Sequence, residues 1–154
     1  TLDQKLKAHR AHVLDLEVQR QGNQVRFTVI LIAKKRRLLK KKYWYVHNKN
    51  INAIVSMAKK RQSRLIDIEA YNLNGKTQYA AVAIPNMGSQ KKSWQFAAKK
   101  SMKTINKIAK DYKSKIIDIE AHGNGKFSAL FVKTSKAIWW SSNMFPRHRW
   151  GWTI

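Results

Sequence analysis

Three pairs of carboxylates stand out in a chain that otherwise prefers lysine: Asp15 with Glu17, Asp67 with Glu69, and Asp118 with Glu120. Acids at i and i+2 on a strand share one face, and such a pair could hold a cation or divide into a general acid and a general base. A cation needs further converging ligands, and only His12 and His122 stand near these pairs in sequence. Acid/base work needs environments that push two pKa values apart, which three near-identical copies do not suggest. The expected role is architectural, each pair anchoring basic side chains between neighbouring units. Ion pairs of that kind fix geometry more than they add stability.

Other catalytic chemistry finds little support. Two S-x-x-K matches occur, Ser56 to Lys59 and Ser89 to Lys92. The lysine content makes such matches expected by chance, and the companion motifs of a serine β-lactamase centre are missing. There is no G-x-S-x-G, no P-loop and no zinc-ligand spacing. With no cysteine, a disulfide framework and a thiolate metal site are both excluded. The expectation is a non-catalytic protein with no metal and no cofactor.

The remaining chemistry is cationic. Thirty-two Lys and Arg face eight acids, a formal charge of +24, and such a field selects anionic partners. The densest stretch, "KKRRLLKKKYWY" (34–45), offers Lys34, Lys35, Arg36, Arg37, Lys40, Lys41 and Lys42 to successive phosphates. Tyr43, Trp44 and Tyr45 would stack on bases, or pack into the fold, the reading preferred for Trp44. A second stripe, Lys99, Lys103, Lys107 and Lys110, keeps helical spacing away from the apolar side of its segment. Trp150 and Trp152 in the tail "NMFPRHRWGWTI" (143–154) join arginines in a pattern that suits exposed bases or a membrane interface. The longest apolar runs, such as "VILIA" (29–33), fall far short of a membrane span. The compartment stays open.

What must position these groups is a repeat. Asp15, Asp67 and Asp118 recur at intervals of 52 and 51 residues, and periods of this size mark one supersecondary unit copied and stacked. Each acidic segment ("HVLDLEVQ", "RLIDIEAY", "KIIDIEAH") runs into a Gly/Asn turn and then a second apolar run ("RFTVILI", "QYAAVAI", "KFSALFV"), the pattern of a hairpin. Alternation puts Ile66, Ile68 and Ala70 on one face, with Asp67 and Glu69 on the other. A helix is predicted before each hairpin over 1–10, 50–62 and 101–112, with Asn50 as an N-cap and Thr1 with Gln4 at capping-box spacing. Trp-bearing connectors ("YWYVHN", "SWQF", "IWWSSN") join the units. The fold class is α+β: three helix-strand-hairpin-strand units, about 1–42, 43–92 and 93–137, helices on one face, with a closing segment at 138–154. "IWWSSN" could fill the vacant place beside the first unit, or the chain could be part of a longer array.

"YWYVHN", "INAIVSMAKK", "RLIDIEAY", "NG" and "QYAAVAI" together resemble the bacterial tandem repeat domain that accompanies the serine-hydrolase domain of fungal polyglycine hydrolases. The second unit matches best, and coverage is roughly 1–140. The resemblance implies a non-catalytic, lectin-like or substrate-engaging module. The lysine load departs from that pattern and points to a polyanion, nucleic acid first. A secreted lectin-like or polymer-assembly module, binding an acidic glycan or neighbouring subunits, forms the alternative, and a membrane ranks third.

Overall fold

The computed structural model describes residues 1–21, 24–33 and 43–134, excepting the side chains of Arg20 and Gln90. It is α+β. Helix α1 (Leu2–Ala8) precedes strands β1 (Ala11–Gln21) and β2 (Gln24–Ala33). Then come β3 (Trp44–Lys49), α2 (Ile51–Lys60), β4 (Ser63–Leu73) and β5 (Lys76–Pro85). After a short 3-10 turn follow β6 (Trp94–Ser101), α3 (Met102–Asp111), β7 (Ser114–Ala121) and β8 (Lys126–Lys133).

The helices begin where polar caps allow. Thr1 and Gln4 close a capping box on α1. The Asn50 side chain accepts from the Ala53 N–H at 2.8 Å and Ser101 from the Thr104 N–H at 3.2 Å. Each cap satisfies a donor that the helix itself leaves unpaired. Replacing Asn50 with Ala is expected to cost about 1 kcal/mol, measured by denaturant unfolding. Arg10, Gln62 and Lys113 leave the three helices with φ between 43° and 50°, the left-handed exit usual after a C-cap. Asn74 and Gly75 take positive φ together in the β4–β5 turn, as a tight hairpin requires.

The strands form three antiparallel sheets, ordered β1-β2, β3-β5-β4 and β6-β8-β7. Two features differ from the expectation. The first two Trp connectors are themselves strands, since β3 and β6 pair with the outer edges of β5 and β8. Their apolar residues sit in extended backbone beside a ladder, which a connector reading overlooks. The pairings also shift the tryptophans by one residue. Tyr45 opposes Val82 and Phe96 opposes Leu130, so Trp94 corresponds to Tyr43 and Trp44 to Gln95. A one-residue slip moves a side chain to the other face.

The second difference concerns the acidic strands. Each carries a bulge immediately before its Asp, at Leu14, Ile66 and Ile117. An extra residue interrupts the two-residue alternation, so the helix-facing set of β4 is Leu65, Ile68 and Ala70, packed with Ile54 and Ala58 of α2 and Ala81 and Ala83 of β5. Ile66 turns to the acid side and packs with Val13 and Leu16 of β1 and Ala80 and Val82 of β5. The expected placement of Ile66 with Ile68 is therefore corrected.

The middle sheet is covered on both faces. Leu130 and Trp94, from the third sheet, join the cluster around Ile54 and Ile68. Val82, from the second, joins the cluster around Leu16, which Leu2 and Leu6 of α1 flank. Around Ile105 of α3 lie Ala97, Ala129 and Phe131.

Candidate polyanion-binding surface

The acids govern what the surface can present. Strands β1, β4 and β7 each end a sheet, so alternate N–H groups along their free edges have no ladder partner, an exposure that sheets must manage. Here carboxylates from the following sheet occupy that edge. The Leu16 N–H donates to Asp67 Oδ2 at 3.0 Å, the Val18 N–H to Glu69 Oε2 at 3.4 Å, and the Ile68 N–H to Asp118 Oδ2 at 2.8 Å. The acids do sit between sheets, but their partners are backbone donors. Among the described residues no Lys or Arg comes within ion-pair distance of Asp67, Glu69, Asp118 or Glu120; Lys107 and Asp111, one turn apart on α3, pair at 2.5 Å. Among the described residues the partners of Asp67, Glu69 and Asp118 are thus backbone N–H groups where basic side chains were expected; an edge N–H lies within a short acid's reach and carries no mobile chain to order.

Burial between the stacked sheets raises the pKa values of the acids on β4 and β7. Burial first, then the Asp118, Asp15 and Glu69 carboxylates, push Asp67 up to about 8 against the Leu16 hydrogen bond. Burial, then Glu120, push Glu69 up to about 9, and the two glutamates share a hydrogen bond that calls for a proton between them. Asp118 rises to about 6, chiefly by burial, with the Ile68 and Ile119 N–H groups opposing. At neutral pH Asp67 and Glu69 thus favour their protonated forms and add little negative charge. Of the other acids, Asp3 accepts from the Tyr45 hydroxyl at 2.9 Å and Asp111 pairs with Lys107.

The basic residues divide into three groups. Lys34, Lys35, Arg36, Arg37, Lys40, Lys41 and Lys42 lie outside the described residues, as do Trp150 and Trp152. Lys103, Lys107 and Lys110 are exposed on α3. Lys99 does not continue that stripe: helix α3 starts at Met102, and Lys99 stands on β6 at φ 50°. Its Nζ reaches Thr77 Oγ1 at 3.2 Å, and it lines an open groove of about 390 Å³ between two hairpin ends with Asn72, His122, Asn124 and Lys126. Burial and the Lys99 charge lower the His122 pKa, and its Nε2 lies 2.6 Å from Ser128 Oγ. Sequence reasoning weighed His122 only as a cation ligand and left out Lys126. Their flanking of the G-N-G turn was the available signal.

The aromatic candidates are engaged in the fold. Tyr43 stacks on His12 with centroids 4.3 Å apart. Trp44 donates through Nε1 to Ser63 Oγ at 3.0 Å and lies under the Arg61 guanidinium at 5.0 Å. The Tyr45 hydroxyl is bound to Asp3. A second opening, about 470 Å³, is lined by Trp94, Met87, Lys59 and Lys91. Among the described residues no group of three metal-ligating side chains converges, and no helix is long and apolar enough to cross a membrane. No family model, no curated protein and no solved structure matches this chain.

Proposed function

We propose that this chain is a non-catalytic module of three stacked repeat units, akin to the bacterial tandem repeats it resembles, that binds a polyanion by charge. Nucleic acid, met through its phosphate backbone, is the leading partner. One observation supports the reading: four of the eight acids, Asp67, Glu69, Asp118 and Glu120, lie at the junctions between sheets, where burial raises the pKa values of Asp67 and Glu69 to about 8 and about 9. The lysines of α3 and the hairpin groove then meet solvent with few competing carboxylates. Among the described residues no side chain is placed to read base edges, so the reading takes affinity from counterion release, independent of sequence.

The test is binding of labelled single-stranded DNA, duplex DNA and an acidic polysaccharide across a salt series. The reading expects tight DNA binding that falls steeply with salt. Changing Lys40, Lys41 and Lys42 to Glu, or Lys103 to Glu, should flatten the slope of log K against log salt by about 0.7–0.9 for each phosphate contact removed. The Trp94 opening, with Lys59 and Lys91 beside an aromatic face, favours the second reading, an acidic glycan. Retention on the polysaccharide with no binding to DNA of equal charge would establish it over the first.

A further inference from the structure

The internal junctions are built twice from corresponding residues, and each end of the stack carries one half of a third. At the first junction Leu16 is 1% exposed beneath Val82, and at the second Ile68 is 1% exposed beneath Leu130. Strand pairing makes Ile119 the counterpart of Leu16 and Ile68, since it follows the bulge and the Asp in the same register. Ile119 is 39% exposed. Likewise Ile30, opposite Asp15, is the counterpart of Val82 and Leu130. It is 53% exposed where they are fully buried. The polar halves match too. The Ile119 N–H, whose counterparts donate to the next sheet, turns to Asp118 of its own strand. At the opposite end Asp15 and Glu17 stand on the face that, in the other two sheets, supplies the accepting carboxylates.

We propose that a second copy of this chain docks head to tail, its Asp15 and Ile30 face stacking on the Ile119 face. The docked pair would repeat the internal junction: the Ile119 N–H would donate to the second copy's Asp15, while Ile30 would fill the place that Val82 and Leu130 occupy inside the chain. This contact is heterologous, so each docked copy leaves one free end for the next. The strong positive charge opposes association at low salt, and screening relieves it. Polyanion binding has the opposite salt dependence, so this inference goes beyond the proposed function and fails separately from it.

The experiment is sedimentation equilibrium of the nucleic-acid-free chain at about 0.5 M salt, where the screening length is only a few ångströms. Three samples are compared: the unaltered chain, a head-blocked variant (Asp15→Lys with Ile30→Lys) and a tail-blocked variant (Ile119→Lys). Thermal unfolding checks that each variant folds. The expected result is mass that rises with concentration for the unaltered chain and monomers for each variant alone. An equal mixture of the two variants should give a 1:1 dimer and nothing larger, because one complementary pair of ends remains. An unaltered chain that stays monomeric overturns the proposal, and if Ile119→Lys then lowers the unfolding midpoint, that face is covered from within the same chain. Variants that associate like the unaltered chain overturn it as well.

Discussion

Raising the pH from about 4 to about 9 is expected to lower the thermal unfolding midpoint, and Asp67→Asn is expected to blunt the fall. In the folded chain Asp67 holds its proton to about 8, whereas its ordinary value is 3.8. A carboxyl whose pKa is raised by folding binds more protons folded than unfolded between those values. Its contribution is therefore fully present below about pH 4, declines as pH rises, and is gone above about 8. Glu69 extends the decline to about 9, Asp118 acts between 3.8 and about 6, and Glu120 has the same sign. His122, lowered in the fold, gives a smaller opposite contribution as pH rises through 6.5. Asparagine keeps an oxygen for the Leu16 N–H and removes the titration, so D67N should match the unaltered chain at pH 5 and exceed it at pH 9. Asp67→Ala leaves that buried N–H without its acceptor, at a cost of about 1–3 kcal/mol across the range. Each kcal/mol moves the midpoint of a domain this size by about 2–4 °C. An unchanged midpoint for D67A would show that the edge bond carries nothing.

The second large effect is expected at Leu130. This side chain belongs to β8 yet is fully buried in the cluster with Ile54, Leu65 and Ile68. Leu130→Ala removes buried methyl groups from the junction between the second and third sheets, and such truncations cost about 2–5 kcal/mol. In a stacked array the loss falls on an interface between neighbours. Amide exchange should therefore accelerate most in β6, α3, β7 and β8, with β1 and β2 least affected. Uniform acceleration across all strands would mean that the chain opens as one cooperative block.

Much of this was legible from local pattern. The helical spacing over 50–62 and 101–112 corresponds to α2 at Ile51–Lys60 and α3 at Met102–Asp111, because Asn50 and Ser101 cap where they stand. The acidic strands and their hairpin partners also lie where the alternating runs placed them. What failed was whatever depends on a partner remote in sequence. The bulge before each Asp is set by pairing, and it moved Ile66 across the sheet. Strands β3 and β6 exist through their ladders to β5 and β8, and only that register separates Trp44 from Trp94. Lys99 fits a helical wheel but precedes the Ser101 cap, and that cap decides where the helix starts. The acids looked like counterions because lysines surround them in sequence. Their backbone partners lie 50 or 51 residues away, and composition holds no trace of them.

The measurement that tests the central claim most directly is a carbon-detected NMR titration of the side-chain carboxyls in the folded chain. Withdrawal of the acids from the surface requires Asp67 and Glu69 to be protonated at pH 7, with midpoints near 8 and 9. Two aspartates, 67 and 118, should titrate above the ordinary range, and so should Glu69 and Glu120. If all of them instead titrate near pH 4, the junctions carry ionised carboxylates, the lysines face real counterions, and the argument from an unopposed basic surface to a polyanion partner collapses.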